Sequence, residues 1–165
     1  MKKIVMFLFV VCAAVAANAQ VYAGGSLGFW DNDDADKTSF RIVPEVGYTL
    51  DDKWALGIEL GYDHSKVAGI KKDIYFVAPY ARYSYFNKGI VSLFVDGGFG
   101  FSTVKDGEDG FNIGLKPGLA IKLTDKFSLV SKFGFVGYSD DYEFMENGFG
   151  LDLTNNITFG FFVNF

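Results

Sequence analysis

The chain of 165 residues is poor in proline, histidine and cysteine, with three, one and one of these residues respectively. The single cysteine, Cys12, lies inside an N-terminal apolar run, so we expect no disulfide to stabilise the rest of the protein. The net charge is −5 and no basic run occurs, which gives no electrostatic reason to expect a nucleic-acid partner. After Gln20 the sequence also lacks the run of about 20 apolar residues that a transmembrane helix needs.

Residues 1–19 are predicted to be a signal peptide that is cleaved after Sec-type export. Lys2 and Lys3 precede the apolar stretch Ile4–Ala17, and Ala17-Asn18-Ala19 supplies the small residues of a cleavage site. An uncleaved membrane anchor is the alternative interpretation, but the run is short for a spanning helix. The mature domain is therefore expected to span residues 20–165.

Aromatic residues and glycine are abundant, with 19 Phe, 9 Tyr and 20 Gly. Apolar and small or polar residues alternate with a period of two, which is typical of β-strands whose two faces meet different surroundings. The alternation predicts eight strands, near Val21–Trp30, Phe40–Leu50, Trp54–Asp63, Asp73–Phe86, Ile90–Val104, Phe111–Leu123, Phe127–Tyr138 and Phe149–Phe165.

The connections between these strands alternate in length. Tight turns are predicted at 51–53, 87–89 and 124–126, and longer polar loops at 31–38, 64–72, 105–110 and 139–148. An even number of antiparallel strands with short turns at one rim and long loops at the other is typical of outer-membrane barrels, in which the short turns are periplasmic. The sequence thus predicts an all-β, eight-stranded, up-and-down transmembrane β-barrel.

The polar face of the strands carries small residues and isolated charges of both signs. An eight-stranded barrel has room inside only for side chains, and buried charges must be paired. We therefore predict a lumen charge network, formed by Arg41, Arg82, Lys116, Lys122 and Lys132 together with Glu45, Glu59, Asp63, Asp96 and Asp152. Separate, solvated charges are the alternative, and a soluble lipocalin-like barrel would show the same alternation. Aromatic residues near the strand ends favour the membrane interpretation, because such rings form girdles at the lipid–water interfaces.

These features together resemble the OmpA/OmpX-type outer-membrane β-barrel domain family. The resemblance rests on the strand pattern, on Pro44-Glu45-Val46-Gly47-Tyr48 and Pro79-Tyr80-Ala81-Arg82-Tyr83, and on the terminal Phe161, Val163 and Phe165. It implies location in the outer membrane, contact with its lipid, and recognition of Phe161, Val163 and Phe165 by the barrel-assembly machinery. Because the sequence ends with the predicted barrel, a cell-wall-anchoring function is not expected.

Catalytic and ligand-binding patterns are weak. Asp63-His64-Ser65 contains the residue types of a lipid-modifying hydrolase, but neighbours in a strand point to opposite faces and cannot meet as a catalytic triad. The acidic residues of the first and last long loops lack the spacing of a calcium loop. We therefore predict no enzyme activity, no cofactor and no metal site.

The expected function is structural or interactive, with the long loops presented outside the cell. Any extracellular ligand is expected to contact loop residues such as Trp30–Lys37 and Asp140–Glu146. A narrow pore for ions or small solutes is the alternative function. A lipid-modifying enzyme and a soluble, lipocalin-like binder are less favoured alternatives.

Overall fold

The structure is a computed structural model that describes residues 20–32, 37–67, 70–105, 107–142, 147–153 and 157–165. The predicted signal peptide and the centres of the first, second and last long loops lie outside these residues. Within the described parts of the chain, no helix is both long and apolar enough to cross a membrane.

The described residues form ten antiparallel strand segments in one sheet. Their bounds are β1 Val21–Asn32, β2 Lys37–Thr49, β3 Trp54–Val67, β4 Ile70–Lys88, β5 Val91–Val104, β6 Asp109–Lys122, β7 Phe127–Lys132, β8 Phe135–Asp140, β9 Gly148–Asp152 and β10 Thr158–Asn164. Segments β7 and β8 are two parts of the seventh barrel strand, since both pair with β6. Segments β9 and β10 are likewise two parts of the eighth strand.

Pairing of the last strand with the first closes the barrel. Tyr22–Ser26 of β1 pair with Gly160–Asn164 of β10, while β10 also pairs with β7. The remaining neighbours are consecutive along the chain from β1 to β6. The prediction of an eight-stranded antiparallel barrel is confirmed.

Alternation separates an apolar exterior from a filled interior. On β3 the outward residues Leu56 and Leu60 are 49% and 46% exposed, whereas the inward Ala55 and Glu59 are 7% and 8% exposed. Aromatic pairs lie on the outer face near both rims: Trp54 with Tyr83 near the short turns, and Tyr62 with Tyr75 and Phe111 with Tyr138 near the other rim. This is the arrangement of the two aromatic girdles of a membrane barrel.

The seventh strand does not alternate without interruption, in contrast to the prediction for Phe127–Tyr138. Gly134 has a left-handed conformation, with φ of +78°. Between the pairs Gly118–Lys132 and Leu115–Val136, two residues of β6 face three of the seventh strand, which is a β-bulge. As a result Lys132 and Phe135, three positions apart, are both buried inside the barrel.

The predicted continuous strand Phe149–Phe165 is also interrupted, between β9 and β10. In the described part of the chain β9 pairs only with β8, and Leu27–Asn32 of β1 pair only with β2. The wall therefore has a seam between β1 and β9 at the long-loop end, although it is closed between β1 and β10 at the short-turn end.

Two of the long loops are shorter than predicted because their strands continue. Lys66 pairs with Lys71 and Val67 with Ile70, so that most of the predicted loop 64–72 is a β-hairpin. Similarly, β1 reaches Asn32 and β2 begins at Lys37. Both faces of these strand ends carry polar residues. The sequence there therefore lacks the alternation of apolar and polar residues that predicts a strand.

The short turns are stabilised by local hydrogen bonds. The backbone amides of Lys53 and Trp54 both donate to Asp51 Oδ1, at 2.7 and 2.8 Å, and these bonds lower the pKa of the Asp51 carboxyl. Thr124 Oγ1 accepts from the amide of Phe127 at 3.0 Å in the same manner. Gly89, with φ of +60°, provides the left-handed residue of the turn between β4 and β5.

Candidate functional site

The centre of the lumen contains a bidentate ion pair between neighbouring strands. Arg82 of β4 and Asp96 of β5 are Cα partners. Arg82 Nε donates to Asp96 Oδ1 at 2.7 Å, and Nη2 donates to Oδ2 at 2.8 Å. Arg82 Nη2 also lies 3.3 Å from Glu45 Oε1 of β2. Because the guanidinium is planar, the two-point contact fixes its orientation in the barrel.

Lys132 bridges three carboxylates from the opposite wall. Glu45 and Glu59 are Cα partners on β2 and β3, and such like-charged neighbours repel. Lys132 Nζ lies 3.0 Å from Glu45 Oε2 and also contacts Glu59 Oε1. The same ammonium is 3.3 Å from Asp96 Oδ2. The lysine thus offsets the repulsion between the two glutamates.

A second lysine contacts Glu59 from β6. Lys116 Nζ lies 3.7 Å from Glu59 Oε2. The central network then contains three cations and three carboxylates, namely Arg82, Lys116, Lys132, Glu45, Glu59 and Asp96. Buried ion pairs are tolerated when their charges balance and their remaining hydrogen-bonding groups are satisfied.

Aromatic rings surround the Arg82 guanidinium. The Arg82 guanidinium carbon lies 3.9 Å from the centroid of Phe94 and 5.2 to 5.7 Å from those of Tyr22, Tyr80 and Phe162. The hydroxyls of Tyr22 and Tyr80 are 2.6 Å apart, and the Tyr80 hydroxyl donates to Glu45. The rings therefore stabilise the network both by cation–π contact with Arg82 and by a hydrogen bond to Glu45.

Each of these rings is accommodated by a glycine on a neighbouring strand. Tyr22 lies over Gly47, its Cα partner, and a Cβ atom at Gly47 would collide with the phenol ring. The same relationship joins four further pairs of Cα partners: Gly57 with Tyr80, Gly61 with Phe76, Gly118 with Phe94 and Gly24 with Phe162. The rings therefore lie along the wall and leave the centre to the charged groups.

The lumen toward the long-loop end is filled by a separate apolar cluster. Val43, Phe76, Ala78 and Tyr142 form this cluster, and Tyr142 is 1% exposed. Beside it, Arg41 Nη1 lies 3.5 Å from Asp63 Oδ2, and the Arg41 guanidinium stacks 5.0 Å from the Phe76 ring centroid.

A cavity lies between the ion network and this cluster. It measures about 70 Å³, and Glu45, Glu59, Lys132, Ser26 and Gly160 are among the residues that line it. A second cavity of about 20 Å³ lies beside Asp96 and Lys116. The two spaces could hold a few water molecules.

The predicted lumen residues occupy four different places. Six of them form the central network, and Arg41 and Asp63 form the outer pair. Lys122 is wrong as a lumen residue: it faces inward by alternation, but it lies at the rim, where Nζ is 3.1 Å from Asp125 Oδ1 and the side chain is half exposed. Asp152 lies on β9 as the Cα partner of Phe135.

The sequence did not predict the contribution of Tyr22, Tyr80 and Phe94 to the site. Their alternation placed them on the inner face, and this signal could have identified them. The Phe162 ring also packs inside, since the residue is 6% exposed.

His64 lies on the outer face, away from the lumen. Its Nδ1 is 2.6 Å from Asp73 Oδ1, which also accepts a 2.9 Å hydrogen bond from the Tyr62 hydroxyl. Asp63, by contrast, points into the barrel, and so Asp63-His64-Ser65 is not a triad. Among the residues whose placement is described, no group of three or more His, Cys, Asp or Glu side chains is arranged to hold a metal ion.

A closed eight-stranded barrel with an apolar outer surface, aromatic girdles and an ion-paired interior defines a small transmembrane barrel of the outer membrane. The family model described as outer membrane protein beta-barrel domain matches residues 4–165, and the chain belongs to this family. It is therefore an outer-membrane protein, and a soluble lipocalin-like barrel is set aside.

Several solved structures are similar to this chain at low sequence identity. Neisserial surface protein A (NspA) is 16% identical, with a TM-score of 0.51 over 88% of this chain and 96% of that one. A de novo designed transmembrane β-barrel is 11% identical, with a TM-score of 0.50 over 89% and 96%. The outer membrane protein W of E. coli is 8% identical, with a TM-score of 0.49 over 88% and 97%. A search of curated proteins found no match.

Proposed function

We propose that this protein is a structural barrel that presents its long-loop end outside the cell and whose lumen does not conduct. The observation that supports this proposal is the bridging of Glu45, Glu59 and Asp96 by Lys132, which joins opposite walls of the barrel through its centre. An ion path through the lumen would have to separate these charges, and the loss of a partner from a buried ion pair costs ~3–5 kcal/mol.

Conductance in planar bilayers tests the closed lumen. We expect a silent bilayer with the purified, refolded barrel and with the exposed control variant Lys122→Gln. Stable conductance steps whose size changes in Glu59→Gln or Arg82→Gln would support a narrow pore instead and contradict the proposal.

The orientation can be tested by cysteine labelling of whole cells, because the predicted mature chain has no cysteine. Asp109 lies at the long-loop end of β6, and Asp125 lies in a short turn at the opposite rim. A membrane-impermeant maleimide should label Asp109→Cys in intact cells and Asp125→Cys only after lysis. The reverse pattern would overturn the proposed orientation.

We also propose that the protein has no catalytic activity and that its last strand carries the assembly signal. Support for the first point is the separation of His64 and Asp63 on opposite faces of β3. Incubation with lipid A in micelles should leave the acyl chains intact. Release of acyl chains that is lost in His64→Ala would contradict this.

The proposed assembly signal is supported by the position of the last residues of the chain. Phe161, Val163 and Phe165 follow one another on the outer face of the closing strand, where an assembly factor could contact them.

A further inference from the structure

The outer face of the β3–β4 hairpin carries an ordered series of side-chain pairs. Starting in the lipid-facing wall, the Cα partners are Leu60–Val77, then Tyr62–Tyr75, His64–Asp73 and Lys66–Lys71. The series passes from aliphatic to aromatic, then to polar, and ends in two cations. Such an order reproduces the polarity profile of a membrane leaflet from its hydrocarbon core to its headgroups.

The position of the tyrosine pair gives the height of the lysines relative to the lipid–water interface. The rings of Tyr62 and Tyr75 are in contact, with centroids 5.1 Å apart, and belong to the aromatic girdle. Lys66 and Lys71 are four residues farther along their strands, which corresponds to ~14 Å along a strand and to roughly 10 Å along the membrane normal at a tilt of 35–45°. Flexible lysine stems can reach back from that level to the headgroups.

The two lysines are directly opposite each other, so their charges repel across the hairpin. A third, Lys105, lies on the same outer face just after β5 and level with Asp73, two residues from Lys71, since its backbone amide donates to the Asp73 carbonyl at 2.9 Å. Its side chain is exposed. The nearby Asp73 carboxylate already accepts hydrogen bonds through Oδ1 from His64 and Tyr62. An anion between the ammonium groups would relieve their repulsion.

The charge of the outward residues near this rim differs from strand to strand. In the strand pairs β5–β6 and β6–β8, outward pairs near the same rim are Thr103–Asp109 and Phe111–Asp140, and each contributes a carboxylate. The whole chain has a net charge of −5. Within the described residues, the three lysines next to the aromatic girdle therefore distinguish strands β3 to β5 from β6 and β8 near the same rim.

We propose that Lys66, Lys71 and Lys105 bind the phosphate group of an outer-leaflet lipid headgroup. Ammonium groups stabilise phosphate as point charges, and the girdle rings hold the acyl part of the same lipid against the wall. This inference rests on the orientation proposed above, in which the long-loop end faces outward.

The binding can be measured by native mass spectrometry of the refolded barrel titrated with lipid A in detergent. We expect Lys66→Gln/Lys71→Gln to weaken lipid A binding about thirtyfold, since each lysine near an anionic headgroup contributes a factor of roughly five. Lys66→Arg/Lys71→Arg should retain binding. Enzymatically dephosphorylated lipid A should bind all of these barrels at least as weakly as intact lipid A binds the double Gln variant, because that variant still has Lys105.

The matched control removes two lysines at the opposite rim. Lys53→Gln/Lys88→Gln changes the net charge by the same amount near the short turns and should leave lipid A binding unchanged. An equal loss in both double variants, or unchanged binding after Lys66→Gln/Lys71→Gln, would overturn the proposed site. Heat-dependent gel migration shows that each variant is folded. The lipid A measurements depend neither on conductance nor on the labelling of intact cells. They can therefore refute the proposed lipid site while the proposed structural function stands.

Discussion

Glu45 and Glu59 are directly opposite each other on adjacent strands, and a single ammonium group, that of Lys132, contacts both. Side chains that would repel each other in a two-stranded sheet are thus joined by a residue from the far wall. The barrel can tolerate this pair only when it is closed, because Lys132 reaches the glutamates across the lumen.

Removal of that cation should destabilise the barrel strongly. We expect Lys132→Met to lower the free energy of unfolding by ~3–5 kcal/mol, because Glu45, Glu59 and Asp96 would be left without their shared partner. Urea unfolding in detergent micelles, followed by tryptophan fluorescence, measures the change. The control Lys122→Met alters a half-exposed lysine at the rim and should stay within ~0.5 kcal/mol. Equal stabilities of the two variants would contradict a structural role for the network.

Filling a glycine beneath a lumen ring should also be costly. In Gly57→Ala the new Cβ would collide with the ring of Tyr80, whose hydroxyl is held by Glu45 and Tyr22. We expect a loss of ~1–3 kcal/mol in the same unfolding measurement. Gly150→Ala is the matched control, since a Cβ there has no neighbour within 4 Å. A loss in Gly150→Ala as large as that in Gly57→Ala would argue against the ring contact as the cause.

The seam between β1 and β9 should be visible in hydrogen exchange. Tyr22–Ser26 pair on both sides, whereas Leu27–Asn32 pair only with β2 in the described structure. Every second amide of Leu27–Asn32 should therefore exchange faster than the amides of Tyr22–Ser26 in micelles, as measured by NMR. Leu56–Glu59 of β3, which pair with both neighbouring strands, serve as the reference. Uniform protection along β1 would show that the wall is paired over its whole height.

Deletion of Phe165 tests the proposed assembly signal. The terminal amide donates to the Val21 carbonyl at 3.0 Å, so the deletion removes one backbone hydrogen bond as well as the final ring. We expect slower insertion and more protein in the periplasm, measured by pulse-chase fractionation. Phe159→Ala changes an outward aromatic of the same strand and should insert normally. Normal insertion without Phe165 would exclude the signal.

The strand pattern was predictable because lipid and lumen impose opposite requirements on neighbouring positions. That contrast identified the eight strands, the inward Arg82 and Lys132, and the short turn that begins with Asp51. At Lys66 and Lys71 the contrast disappears, since both faces of a strand above the lipid meet polar surroundings, and the sequence there was interpreted as a loop.

The bulge and the partners of the lumen charges could not be predicted in the same manner. Gly134 is one glycine among 20, and its left-handed conformation depends on the register that its neighbours impose. Lys122 and Lys132 both face inward by alternation, but only their height in the barrel separates a rim residue from the centre of the network. Height depends on how far each strand is shifted against the next, which a single sequence does not specify.

The glycine–ring pairs of the lumen also constrain how this sequence can diverge. Gly47 and Tyr22 are distant along the chain but share one volume, as do Gly118 and Phe94. A larger residue at the glycine becomes acceptable only when the ring opposite becomes smaller, so the two positions must change together. In an alignment of related barrels these pairs should appear as covarying columns, and they would report the strand register directly.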